Sequence, residues 1–152
     1  MSLVELDVTD SADPAIGQAL LEGLLAHNAR FAGPPDSRPL SVVVRDPATG
    51  AVRGGLTGRT RYGWLYVDTF YLPQDLRGGG QGARILGAAE AEARARGCIG
   101  SYLDTLSFQA AGFYEKQGYH RVGTLPDYPR DGQAKHFYMK RFAQAEGVSP
   151  TP

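Results

Sequence analysis

Leu72-Pro73-Gln74-Asp75-Leu76-Arg77-Gly78-Gly79-Gly80-Gln81-Gly82-Ala83 is the stretch on which the fold turns. An aromatic, β-prone run, Trp64 to Leu72, leads into it, and an alanine-rich helical run, Ala83 to Arg96, leaves it. The sequence thus places a glycine loop between a strand and the start of a helix. There the backbone N–H groups point outward without intrahelical partners and the helix dipole is positive, which suits a phosphate. Lacking side chains, Gly78, Gly79, Gly80 and Gly82 let a bulky anion approach the backbone. The loop does not have the G-x-G-x-x-G spacing of a dinucleotide fold, and no G-K-[ST] follows the glycines as in a P-loop.

Upstream, Trp64 to Leu72 is the last strand of a meander. Leu40 to Arg45 and Ala51 to Arg61 form a hairpin across the Asp46-Pro47-Ala48-Thr49-Gly50 turn, and Gly54-Gly55 predicts a bulge. Before it, Leu3 to Val8 reads as a short strand. Asp13 with Pro14 caps a helix to about Arg30 with an apolar stripe of Ile16, Leu20, Leu21, Leu24 and Leu25. His27 reads as a favourable cation at that helix's C-terminus. Ala32 to Pro39 is a proline-rich loop.

Downstream, the helix from about Gly80 to Arg96 carries Glu90 with Arg94 and Glu92 with Arg96 as i, i+4 pairs on its solvated side, and Gly97 stops it. Cys98 to Leu106 is a strand, parallel to the Trp64 strand because a helix links them. Ser107 is read as the cap of a helix from Phe108 to Gln117. Strands over Tyr119 to Leu125 and Ala134 to Phe142 close the chain. The expectation is an α/β (α+β) mixed sheet of about seven strands with about four helices on both faces. Residues 1–142 read as one domain and 143–152 as a loose tail.

Sixteen basic and sixteen acidic side chains cancel. That argues against nucleic acid or an anionic membrane as the main partner. No secretory signal and no membrane span is read, and the single cysteine, Cys98, is taken as a buried small hydrophobe that rules out an internal disulfide. The chain reads as cytoplasmic. The three histidines do not cluster by sequence, His136 is expected to be a surface or paired residue, and no metal site is expected.

The spacing Arg77-x-x-Gly80-x-Gly82 fits R/Q-x-x-G-x-G/A, and Phe108-Gln109-Ala110-Ala111-Gly112-Phe113-Tyr114-Glu115-Lys116-Gln117-Gly118-Tyr119 is similar to A-x-x-F-Y-E-K-x-G-F/Y. Together with the order of elements, these two stretches resemble the GNAT superfamily of acyl-CoA-dependent N-acyltransferases over nearly the whole chain. The resemblance implies a twisted mixed sheet whose central parallel strands splay apart to admit the pantetheine arm. It also implies direct transfer of acetyl from acetyl-CoA to a primary amine without a covalent acyl-enzyme.

On that resemblance, Arg77, Gly78, Gly79, Gly80, Gln81 and Gly82 hold the pyrophosphate, with Ala83 opening the helix. Phe70, Tyr71 and Leu72 offer a strand edge to the pantetheine amides, and an N–H there polarises the thioester carbonyl. Tyr114 is the expected general acid for the departing sulfur, against the alternative of a core tyrosine. Gln109 stands, with Ser107, where the family often has a pantetheine-binding asparagine. For the base the candidates are Asp68, Asp104 or a water. Period-two alternation puts Asp68 in line with Trp64, Tyr66 and Phe70, among aromatics that would raise its pKa. Alternatively, it pairs with Arg59 or Arg61. Asp104 is otherwise a structural partner at the splay, and Lys116 a solvated lysine.

The acceptor is expected to be a small cationic amine in an aromatic pocket built from Phe31, Trp64, Tyr66, the Ala32 to Pro39 loop and the Leu125 to Arg130 loop, with Asp127 or Asp68 supplying charge. Three other readings stay open: acetylation of a protein or peptide amine, a non-catalytic acyl-CoA sensor, and a structural dimer subunit with a vestigial loop. The apolar run Phe137-Tyr138-Met139 would allow a homodimer through the last strands.

Overall fold

The computed structural model describes residues 3–143. The 144–152 part of the expected tail lies outside the described residues. Contacts gather into two units, Met1–Pro35 and Asp36–Pro152.

The first unit holds helix α1, Pro14–Ala32, with Asp13 accepting a hydrogen bond from the Ala15 N–H at 2.9 Å and Pro14 in the first turn. His27 sits beside Phe31 with ring centroids 5.5 Å apart. Leu3 to Val8 is not a strand. A strand exists only where a second edge accepts its backbone hydrogen bonds.

The second unit is a six-stranded mixed sheet in the order β1-β2-β3-β4-β6-β5, one strand fewer than expected. Its strands are β1 (Arg38–Arg45), β2 (Val52–Arg61), β3 (Trp64–Tyr71), β4 (Gly100–Leu106), β5 (His120–Pro126) and β6 (Ala134–Arg141). The meander pairs antiparallel, β3 and β4 run parallel, and β6 lies antiparallel between β4 and β5. Helices α2 (Gln81–Ala95) and α3 (Ala111–Lys116) make three α-helices with α1 among the described residues, where about four were expected. A 3-10 turn over Gln74–Leu76 precedes the glycine loop.

Helices α2 and α3 pack on the same face of the sheet. Ile85, Leu86, Ala89 and Ala93 of α2 join a core with Leu40, Leu56, Leu65, Val67, Leu103 and Tyr138, and Phe113 packs against it. Burying each of these larger side chains stabilises the fold by about 1.5–3 kcal/mol. Glu92 pairs with Arg96 at 2.9 Å as expected. Glu90 does not pair with Arg94. It is buried and held by the Lys140 ammonium of β6 at 2.6 Å, while Arg94 lies over the Phe142 ring at 4.5 Å. Sequence spacing within a helix cannot show a partner that a distant strand delivers.

Two bulges shape the meander. One skips Arg53 opposite Val44 and Arg45, next to the Gly54-Gly55 pair that announced it. The other was not anticipated. Thr57 pairs with Thr69 and Gly58 with Val67, leaving Asp68 as an extra residue in β3. Along β2, Thr60, Gly58 and Leu56 keep strict alternation on the helix face, and their partners are Leu65, Val67 and Phe70. The bulge therefore returns Phe70 to the core face, where it meets Phe113 at 5.9 Å between centroids. The expected line of Trp64, Tyr66, Asp68 and Phe70 is broken at Asp68. Gly58 permits this, since a Cβ there would collide with the Tyr66 carbonyl oxygen.

Candidate active site

The parallel pairing of β3 with β4 runs from Trp64 opposite Gly100 to Val67 opposite Leu103 and stops there. Beyond it β3 enters its bulge while β4 continues to Leu106, so the two strands part. The backbone of residues 68–71 is left without a strand partner on its β4 side. A cleft of about 890 Å³ opens in the gap, lined by Asp68 to Leu72 on one side, Asp104 to Leu106 on the other, the glycine loop at one end and α3 beside it.

At the loop end, Gly78 and Gly80 adopt left-handed φ values of 83° and 79°. Ordinary residues disfavour that conformation, and it turns the chain into α2. The first bond of the helix is the Arg84 N–H to the Gly80 carbonyl at 3.2 Å, and no side chain caps the turn. The N–H groups of Gln81, Gly82 and Ala83 precede that bond and have no acceptor in the helix. Space over Gly78, Gly79 and Gly80 is open, whereas Gly82 lies against the Phe113 ring. Of the expected loop residues, Arg77, Gly78, Gly80, Gly82 and Ala83 line the cleft, while Gly79 and Gln81 do not. The Arg77 guanidinium folds back, its Nε donating to the Leu72 carbonyl at 2.8 Å, and the Gln81 amide oxygen accepts from Arg84 at 3.2 Å.

Along the β3 edge, Phe70, Tyr71 and Leu72 all border the cleft. Gln109 borders it too, but its Oε1 is taken: it accepts from the Leu106 N–H at 2.8 Å and the Thr105 hydroxyl at 3.1 Å. Only its amide NH2 is left for a ligand. Ser107 does not cap α3, which begins at Ala111 with no side-chain cap; its hydroxyl accepts from the Ala134 N–H at 3.0 Å instead. That bond ties the end of β4 to the start of β6.

Tyr114 projects from α3 to the cleft wall and is 8% exposed. Its ring contacts Phe113, Tyr119 and Tyr138. Burial, helped by the negative charge of Asp104, pushes its phenol up to about 12, so it keeps its proton at any physiological pH.

Asp68 is exposed at the bulge, where it faces the cleft rather than sitting enclosed among aromatics. Neither expected arginine pairs with it. The guanidinium of Arg59 lies over the Tyr66 ring at 5.0 Å and that of Arg61 over Tyr62 at 5.2 Å.

Asp104, on the opposite strand, is half-buried. It accepts from the Tyr66 hydroxyl at 3.3 Å and lies 3.9 Å from the Lys135 ammonium. Trp64 and Tyr66 flank Tyr102 on the same face of the sheet. Asp127 is turned into its own loop, accepting from the Gly132 N–H at 3.0 Å, so of the Leu125 to Arg130 loop it is Tyr128 that borders the cleft. His136 shares a hydrogen bond with Thr124 at 3.0 Å. Sequence reasoning missed Lys135 altogether, because nothing local marks a β6 lysine as a neighbour of β4.

A phosphate-ready glycine loop, a splayed parallel pair and a buried phenol on one cleft define an acyltransferase architecture. The chain belongs to the acetyltransferase (GNAT) family, whose pattern it matches over residues 7–119. It is 38% identical over 135 residues to an acetyltransferase of Agrobacterium fabrum, covering 89% of this chain and 97% of that one. It is 41% identical over 108 residues to the blasticidin-S acetyltransferase of Streptomyces morookaense, covering 69% of this chain and 79% of that protein. Its fold matches a crystal structure from Agrobacterium tumefaciens described as an acetyltransferase, with a TM-score of 0.84 at 37% identity over 91% of this chain and 100% of the other.

Proposed function

We propose that this protein transfers an acetyl group from acetyl-CoA to a primary amine of a small molecule. The observation that carries the reading is that one cleft joins the glycine loop, the unpaired edge of residues 68–71 and the protonated phenol of Tyr114. The N–H groups of Gln81, Gly82 and Ala83 would take the pyrophosphate, with the guanidinium of Arg77 adding charge. The open backbone of Phe70, Tyr71 and Leu72 would pair with the pantetheine amides and polarise the thioester carbonyl.

The amine nitrogen attacks the carbonyl carbon, the C–N bond forms and the C–S bond breaks. Asp68, directly or through a water, takes the proton that the amine loses. Tyr114 gives its proton to the departing sulfur, so acetyl-CoA and amine become amide and free thiol. A phenol held at about 12 is a proton donor strong enough for a thiolate only at contact, which its place on the cleft wall favours.

The relative named for blasticidin-S acts, by that name, on a small molecule, and the Asp68 carboxylate on the cleft wall, without an ion-pair partner among the described residues, favours a cationic acceptor. Thiol release from acetyl-CoA, followed over a panel of small amines and peptides, tests the reading. Turnover is expected with small cationic amines, and turnover with peptide or protein amines alone would overturn it.

A further inference from the structure

Lys135 holds an unusual position for a lysine beside an active cleft. Its ammonium is 3.9 Å from the Asp104 carboxylate and 4.2 Å from the centre of the Tyr128 ring, and all three residues border the cleft. The other oxygen of Asp104 accepts from the Tyr66 hydroxyl at 3.3 Å. A carboxylate and the face of a phenol ring make a seat for an ammonium group, the one by charge and the other by its quadrupole.

Lys135 fills that seat loosely. At 3.9 Å its ammonium is beyond hydrogen-bond reach of the carboxylate, and its side chain is 24% exposed. It pairs across the ladder with Leu106, at the end of β4, so its flexible stem can carry the charge out to water at little cost. Asp68 stands on the other wall of the same cleft without an ion-pair partner among the described residues.

We propose that Asp104 and Tyr128, with the Tyr66 hydroxyl holding the Asp104 carboxylate, form a second subsite, which takes a cationic group of the acceptor remote from the nitrogen that is acetylated, and that Lys135 occupies it until the acceptor displaces it. The acceptor class is then a small molecule with two nitrogen groups, one neutral when it attacks beside Asp68 and one charged against Asp104. This rests on the acyl-transfer reading for the role of Asp68, but the seat itself can be tested without turnover.

Tetramethylammonium carries the charge and cannot be acetylated. Its binding, followed by NMR titration, is expected to tighten about ten-fold in Lys135→Met and to weaken about ten-fold in both Asp104→Asn and Tyr128→Leu. Equal binding by wild type, Lys135→Met and Asp104→Asn would overturn the proposal, provided each variant melts cooperatively near wild type. In parallel, acetyl transfer to 1,4-diaminobutane is expected to show a lower KM than transfer to butylamine, and Asp104→Asn to erase that preference. Probe binding as expected without acetyl transfer to any amine would sink the functional reading and leave the seat. Acetyl transfer with no diamine preference and no effect of Lys135→Met would do the reverse.

Discussion

Val67 and Leu103 are the last residues on which β3 and β4 pair, and the bulged Asp68 follows at once. The bulge separates the strands by giving β3 one residue more than β2, and the absence of a side chain at Gly58 permits it. Gly58→Ala would push a methyl group into the Tyr66 carbonyl and force the bulge to move. The expected cost is about 1–3 kcal/mol in urea unfolding, together with weaker acetyl-CoA binding. An unchanged unfolding midpoint would show that the bulge does not depend on this close approach.

Tyr114→Phe is expected to lower kcat by about 100-fold or more while the KM for acetyl-CoA changes little, since the ring packing survives and only the proton donor is lost. Burial sets the pH dependence. With the phenol held at about 12 in the folded protein and near 10 when unfolded, the folded state binds the extra proton between those values. Stability from this group is complete below about pH 10 and is lost as the pH rises toward 12. The phenylalanine variant should decline less steeply over that range, by the share Tyr114 contributes, while Tyr119, whose phenol burial also pushes up, keeps its own share; the difference between the two melting profiles checks it.

What the sequence revealed was what local chemistry decides. The Asp13-Pro14 cap, the glycine entry to α2 and its stop at Gly97 depend on neighbours a few residues away, and all three stand where expected. Leu3 to Val8 failed as a strand because pairing is a property of two segments. The Asp68 bulge was hidden for the same reason: an extra residue exists only relative to the register of β2. Opposite it, however, Gly58 was a visible hint, a glycine inside a strand that makes room for another backbone. Within the cleft, the residues on and around the two motifs could be named beforehand, whereas the Asp104–Lys135–Tyr128 contact joins three separate segments of chain and left no local trace.

The glycine loop is expected to grip phosphate mainly through its main chain. Arg77 already spends its Nε on the Leu72 carbonyl, so Arg77→Ala should raise the KM for acetyl-CoA by about ten-fold, one charge-assisted hydrogen bond. Gly80→Val strains a residue at φ 79° and tilts the N–H groups that follow, and should raise it further. A larger effect from Arg77→Ala than from Gly80→Val would assign the grip to the side chain.

Asp68 and Asp104 face one cleft from different strands, and their isosteric amides separate their roles. Asp68→Asn is expected to lower kcat about 100-fold, leaving acetyl-CoA binding intact. Asp104→Asn should act mainly on the acceptor KM. If Asp104→Asn instead carried the loss in kcat while Asp68→Asn kept wild-type turnover, the base would lie on β4 and not at the bulge.

Glu90 and Lys140 tie α2, the helix that carries the glycine loop, to β6 on the far side of the splay. The Glu90 side chain is 5% exposed, so removing Lys140 strands a charge in the interior, whereas Lys140, 22% exposed, can carry its ammonium out to water when Glu90 is removed. Lys140→Met should cost about 3 kcal/mol in urea unfolding and Glu90→Gln less, whereas the double exchange Glu90→Leu with Lys140→Met should recover most of the larger loss by packing. Additive losses in the double variant would mean that the two groups do not depend on each other. A recovered stability would also isolate the functional question, because α2 would then be fixed to β6 by apolar contact alone. Acetyl-CoA KM in that double variant should match wild type, since the loop needs α2 held in place and not the charges that hold it.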